Sequence, residues 1–85
     1  MDRIATDGTQ RSKEMKLFIF RTNIETRSSF ARLRHDLEKM PGLQICTIDL
    51  EDCDRVLRVG CENIRIEAVV EEVTKHGFIC QELAD

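Results

Sequence analysis

The chain has 85 residues, of which 41% are hydrophobic, a size and composition typical of one small globular domain with a modest core. Thirteen basic residues against sixteen acidic ones give a net charge of −3, which argues against nucleic acid as a partner because binding its phosphate backbone needs a basic face. No apolar run approaches the roughly 18 residues of a membrane helix and no signal-peptide pattern is present, so we expect a cytoplasmic protein with no membrane partner.

The N-terminal part of the chain divides into a polar tail, a strand and a helix. Residues 1–14 show no hydrophobic period, which predicts a disordered tail before a domain that spans 15–85. The apolar run over 15–21 predicts the first strand. A helix capped by Ser28 or Ser29 is predicted next, because apolar residues then recur at spacings of three and four: Phe30, Leu33, Leu37 and Met40.

A predicted hairpin follows this helix. The Pro41-Gly42 pair ends the helix, since proline cannot extend it and glycine tolerates a reversed backbone. Strand-like runs over 43–50 and 55–60 flank the short polar segment 51–54, and this pattern indicates two strands joined by a turn.

The last two elements are a second amphipathic helix and a strand. Asn63 can cap this helix, and its apolar face has helical spacing: Ile66, Val69, Val70 and Val73. Gly77 ends the helix, and residues 78–83 form the last predicted strand. With right-handed crossovers this order favours an α+β ferredoxin-like βαββαβ sandwich, in which two helices cover one face of a four-stranded antiparallel sheet.

The structured region, from about residue 15 to residue 83, resembles the heavy-metal-associated (HMA) domain of copper chaperones and metal-pumping ATPases. The resemblance rests on several spacings: the helix face Phe30, Leu33 and Leu37, the turn Pro41-Gly42-Leu43, the strand positions Leu43, Cys46, Ile48 and Leu50, and the terminal block Val69, Val73, Gly77 and Phe78. It implies the same sandwich, with a loop after the first strand in which that family holds copper or zinc between two thiolates.

That family's M-T-C-x-x-C motif is missing from this chain. Counting back from Gly42 places the two cysteine positions at Thr26 and Ser29, with Ile24 at the apolar position of the family's Met. Neutral hydroxyls are poor ligands for copper(I), and Arg27 adds a fixed positive charge to the loop. The resemblance therefore implies a degenerate metal-binding domain that is not a soft-metal chaperone, and we expect no cofactor.

Binding of zinc or copper through other ligands, in a protein related to heavy-metal transport, is the alternative function. Three connections meet at one end of the predicted sandwich, which brings Cys53 and His76 towards a carboxylate of Glu25 or Asp52. Such a mixed donor set suits zinc. The simpler interpretation of His76 is a solvated residue at a helix C-terminus, where a cation interacts favourably with the helix dipole.

The leading hypothesis is a non-enzymatic interaction module that self-associates or binds a protein partner. No nucleophile is accompanied by both a base and an orienting group, so we do not expect an enzyme. The first strand is apolar on both faces, which is typical of a sheet that buries both faces, and which face meets the helices stays open. The candidate interface residues are Phe18, Phe20, Ile45, Val56 and Ile79.

Overall fold

The computed structural model describes residues 15–83, which form six elements in the predicted order. These elements are β1 (Lys16–Thr22), α1 (Arg27–Leu37), β2 (Leu43–Asp49), β3 (Val56–Cys61), α2 (Ile66–Lys75) and β4 (Cys80–Glu82). The tail predicted over residues 1–14 lies outside the described residues, as do residues 84 and 85.

The four strands form one antiparallel sheet in the order β2-β3-β1-β4. The two central strands, β1 and β3, align Phe18 with Val59 and Phe20 with Leu57. Helices α1 and α2 contact each other and pack against the sheet. This arrangement confirms the ferredoxin-like βαββαβ sandwich.

The hydrophobic core lies between the helices and one face of the sheet. Side chains from both layers are fully buried in it: Phe20, Leu33, Leu37, Leu57, Val59, Val69 and Val73. Phe18 packs against this core and meets the Phe20 ring edge to face, with ring centroids 6.3 Å apart. The aromatic side chains of β1 therefore face the helices, and Leu17 and Ile19 lie on the opposite face of the sheet.

This orientation corrects part of the predicted interface. Phe20 is wrong as an interface residue because its side chain is completely buried against the helices. Phe18 is half-buried against the same core, so it too belongs to the inner face. Val56 does lie on the outer face but is only 6% exposed, so it offers almost no surface to a partner.

The ends of the helices differ from prediction in three places. The α1 N-cap is Thr26, whose hydroxyl accepts from the Ser29 N–H, so the prediction of Ser28 or Ser29 was wrong. Helix α1 ends at Leu37, before the turn that contains Pro41 and Gly42. The α2 N-cap is Arg65 rather than the predicted Asn63, and it makes no side-chain cap because a guanidinium has no acceptor for a backbone N–H. Asn63 lies two residues earlier, with a left-handed φ of 60°.

Candidate functional site

Three loops converge at one end of the sandwich, as predicted. The Thr22 hydroxyl, at the end of β1, donates to the Arg55 carbonyl at 2.7 Å and accepts from the Ile24 N–H at 3.3 Å. In return, Arg55 Nη1 donates to the Ile24 carbonyl at 3.0 Å. Asn23 Oδ1 accepts from the Ile79 N–H of the third loop at 2.9 Å. These bonds tie the β1–α1 loop to the hairpin turn and to the segment before β4.

The β1–α1 loop places two hydroxyls where the resembled family has its thiols. Thr26 Oγ1 donates to Ser29 Oγ at 2.9 Å, so the side chains at these two positions do face each other. The apolar position before them, Ile24, is completely buried. The loop therefore has a buried apolar anchor and two side chains that face each other. Their potential metal-ligand atoms, however, are neutral hydroxyl oxygens at the start of a helix rather than soft thiolate sulfurs.

The ligand group predicted from sequence does not assemble among the described residues. Cys53 and Asp52 lie together on the hairpin turn, with Asp54 as the third donor of that group. His76 belongs to a separate group, and Glu25 belongs to neither. The loops do converge, but the side chains of Cys53 and His76 take different neighbours.

His76 lies between the two helices and contacts two carboxylates. Its Nε2 donates to Asp36 Oδ2 at 2.8 Å and lies 3.6 Å from Glu72 Oε2. The hydrogen bond from His76 lowers the pKa of Asp36 below its ordinary value, with smaller contributions from Lys39. Sequence reasoning missed both carboxylates; the i,i+4 spacing of Glu72 and His76 was the available signal.

The four cysteines are all free thiols, and they differ in exposure. Cys53 is exposed on the hairpin turn, whereas Cys46 is buried in the core and Cys80 packs against it. Burial raises the pKa of Cys46 and of Cys80 to about 11, because a thiolate loses hydration in apolar surroundings. The two inward-facing thiols therefore behave as small apolar side chains.

The outer face of the sheet has an apolar region at one end. Leu17 and Ile45 both pair with Gly60, so the three residues form one row across β1, β3 and β2. A Cβ built on Gly60 would lie 3.1 Å from both Met15 Sδ and Ile45 Cβ, so these two side chains meet above the glycine. We call Met15, Leu17 and Ile45 the outer patch; they are 44%, 51% and 39% exposed.

Ile79 does not belong to the outer patch. It is 57% exposed, but it precedes β4 and bonds to Asn23 in the first loop, at the opposite end of β1 from Met15. Of the predicted interface, only Ile45 lies in the patch, and Met15 and Leu17 were not among the candidates. Within residues 15–83 no helix is both long enough and apolar enough to cross a membrane.

Comparison with solved structures identifies the fold. The yeast copper transporter domain Ccc2a is 20% identical with a TM-score of 0.70, and the match covers 81% of this chain and 96% of that one. The HMA domain of the copper chaperone for superoxide dismutase is 17% identical over 99% of this chain and 82% of its own, with a TM-score of 0.70.

A third similar structure is that of the Atx1–Cu(I)–Ccc2a complex, with 20% identity, coverage of 81% and 96%, and a TM-score of 0.71. No protein-family profile matches the sequence. No curated protein sequence matches it significantly. The chain has the fold of heavy-metal-associated domains.

Proposed function

We propose that this chain, which has the heavy-metal-associated fold without paired thiols in its first loop, is a non-enzymatic interaction module that self-associates through the outer face of its sheet. The outer patch carries the proposal, because three large apolar side chains are exposed side by side. Contiguous exposed apolar surface marks protein contacts more often than scattered apolar residues do. The Atx1–Cu(I)–Ccc2a complex supports a protein partner for a domain of this fold.

The surroundings of the outer patch support a contact between proteins. The next row of the outer face pairs Arg58 with the half-buried Ile19, and the row beyond it pairs Asp49 with the buried Val56. An apolar centre beside a polar, charged margin is the usual anatomy of an interface. In a two-fold dimer the same patch would meet itself, so each copy would cover the apolar side chains of the other.

The side chains of the converging loops support a role other than soft-metal transport or catalysis. The hydroxyls of Thr26 and Ser29 bond to each other, and copper(I) prefers thiolates. A nucleophilic enzyme needs its nucleophile beside a base, yet His76 contacts carboxylates and Ser29 contacts Thr26. The four free thiols support a reducing compartment such as the cytoplasm.

Sedimentation velocity of the reduced chain over a range of concentrations tests self-association. Ile45→Glu places a charge in the outer patch, and Ala31→Glu is its control at an exposed position of α1, on the helix side of the sandwich. We expect a dimer fraction that rises with concentration in the wild type and in Ala31→Glu, and a monomer in Ile45→Glu. A wild type that stays monomeric at high micromolar concentration refutes the proposal, as does an Ile45→Glu variant that still dimerises.

Metal binding through ligands other than paired cysteines is a second candidate function. Solved neighbours of the same fold are described as copper transporter and copper chaperone domains, which supports a metal-related role. The structure does not unite the sequence-predicted ligands, Cys53 and His76. The specific observation in its favour is the second group of potential donors: Asp36, Glu72 and His76.

A further inference from the structure

Three potential metal ligands converge at the end of the helix layer. Asp36 lies in the last turn of α1, Glu72 lies near the end of α2, and His76 is the C-cap of α2. Glu72 and His76 are one helical turn apart and share a face of α2, to which Asp36 is added from the neighbouring helix. One donor atom from each residue lies within 4.8 Å of the other two.

We infer that Asp36, Glu72 and His76 form a binding site for a borderline divalent cation, zinc above all. Zinc binds imidazole nitrogen and carboxylate oxygen at about 2.0–2.2 Å, which sets neighbouring tetrahedral ligand atoms about 3.4 Å apart. The distance of 3.6 Å from His76 Nε2 to Glu72 Oε2 fits this spacing. The distance from His76 Nε2 to Asp36 Oδ2 is shorter, 2.8 Å, because a hydrogen bond joins these two atoms. A bound zinc ion would take the place of the proton in that hydrogen bond.

The donor types select the class of metal. One imidazole with two carboxylates suits zinc better than copper(I), which prefers sulfur, and better than calcium or magnesium, which prefer oxygen alone. Glu72 and His76 are only 18% and 20% exposed, so their charges are partly shielded from water. Asp36 and His76 line a shallow depression together with His35 and the exposed Arg32, whose positive charge opposes a cation there. The depression leaves the remaining coordination position open to water or to a further ligand.

Two lysines compete with a metal without occupying its position. Lys39 Nζ lies 3.4 Å from Asp36 Oδ1, and Lys75 Nζ lies 3.6 Å from Glu72 Oε1. The contacts with His76 use the other oxygen of each carboxylate, Oδ2 and Oε2. The lysine side chains are 67% and 69% exposed, so water and salt screen their charges. We therefore expect the two lysines to weaken zinc binding without preventing it.

This site is independent of self-association, because the helices cover the sheet face opposite the outer patch. Its failure would leave the proposed dimer intact, and a monomeric wild type could still bind zinc. Asp36, Glu72 and His76 are a defined ligand set for the second candidate function, metal binding without paired cysteines. The Ile45→Glu variant should retain zinc binding, which separates the two proposals in one experiment.

Isothermal titration of the metal-free, reduced full chain with Zn²⁺ tests the site. Glu72→Gln removes one anionic donor and leaves the hydrogen bond between Asp36 and His76 in place, and Glu71→Gln is the matched control at the adjacent exposed position. We expect one equivalent of zinc in the wild type and in Glu71→Gln. We expect Glu72→Gln to bind at least about tenfold more weakly, since even losing a second-shell partner of a metal ligand costs 10–100-fold.

Two further measurements locate the bound ion. His76→Gln should abolish uptake, and Cys53→Ser should not change it. The absorption spectrum of the Co²⁺-loaded chain should lack a sulfur-to-metal charge-transfer band. The inference is overturned by a wild type that ignores Zn²⁺ at hundreds of micromolar or by equal affinities of Glu72→Gln and Glu71→Gln. Loss of uptake in Cys53→Ser, or a thiolate band, also overturns it by moving the ion to the hairpin turn.

Discussion

Replacing Gly42 with alanine should destabilise this domain far more than the same change at Gly77. Both glycines have left-handed backbone angles, with φ of 98° and 89°. Gly42 lies in the turn that connects α1 to β2, and its carbonyl accepts from the Glu62 N–H at 2.9 Å. Gly77 follows the α2 C-cap, where its own N–H donates to the Thr74 carbonyl at 2.9 Å.

The expected magnitudes follow from what a new methyl group would contact. At Gly77 nothing lies within 4 Å of an added Cβ, so only the left-handed backbone costs stability, by about 1–2 kcal/mol. At Gly42 the Cβ would overlap the carbonyl oxygen of Glu62, which is backbone and cannot rotate away. Moving that segment adds about 1–3 kcal/mol, the usual cost of overpacking. The total at Gly42 is then about 2–5 kcal/mol.

Thermal and urea denaturation followed by far-ultraviolet circular dichroism measure this difference. In a domain of this size each kcal/mol lowers Tm by about 4–8 °C, so Gly42→Ala should unfold at least about 4 °C below Gly77→Ala. The two variants share the backbone penalty, and their difference therefore isolates the overlap with Glu62. A Gly42→Ala protein as stable as Gly77→Ala would refute the reasoning.

Two other predictions concern buried groups. Thr22→Val should lower the free energy of unfolding by about 1–3 kcal/mol, because it leaves the Ile24 N–H and the Arg55 carbonyl without their partner. Urea denaturation measures this loss, and an unchanged midpoint would contradict it. In the native state at pH 8, iodoacetamide should modify Cys53 well before Cys46 or Cys80, whose pKa values burial raises to about 11 and whose thiolates are therefore scarce. Peptide mapping by mass spectrometry gives the order, and equal rates would contradict it.

Local patterns predicted the elements and the core well because each depends on a few neighbouring residues. Helical spacing identified Leu33 and Leu37 in α1 and Val69 and Val73 in α2, and all four are completely buried. The N-cap of α1 was less predictable, since Thr26, Ser28 and Ser29 all carry hydroxyls within four residues. In the structure Thr26 is the cap, and Ile24 and Phe30 on either side of it are both buried in the core.

The candidate sites were less predictable because they join distant parts of the chain. Asp36 and His76 are forty positions apart, and only the packing of α1 against α2 brings them within hydrogen-bond distance. The outer patch depends on strand register, which aligns Leu17 and Ile45 on the same glycine. A pattern of apolar residues on both sides of β1 could not decide which side the helices cover.

The sequence alone determined the order of elements, the ferredoxin-like sandwich and the replacement of two thiols by Thr26 and Ser29, since these follow from local periodicity, turn residues and residue identity. The tertiary structure decided that Phe18 and Phe20 face inward, that Met15, Leu17 and Ile45 form an exposed surface, and that His76 joins carboxylates rather than Cys53. Pairing register and helix packing set these contacts, and both arise from burying the whole core at once rather than from any one segment.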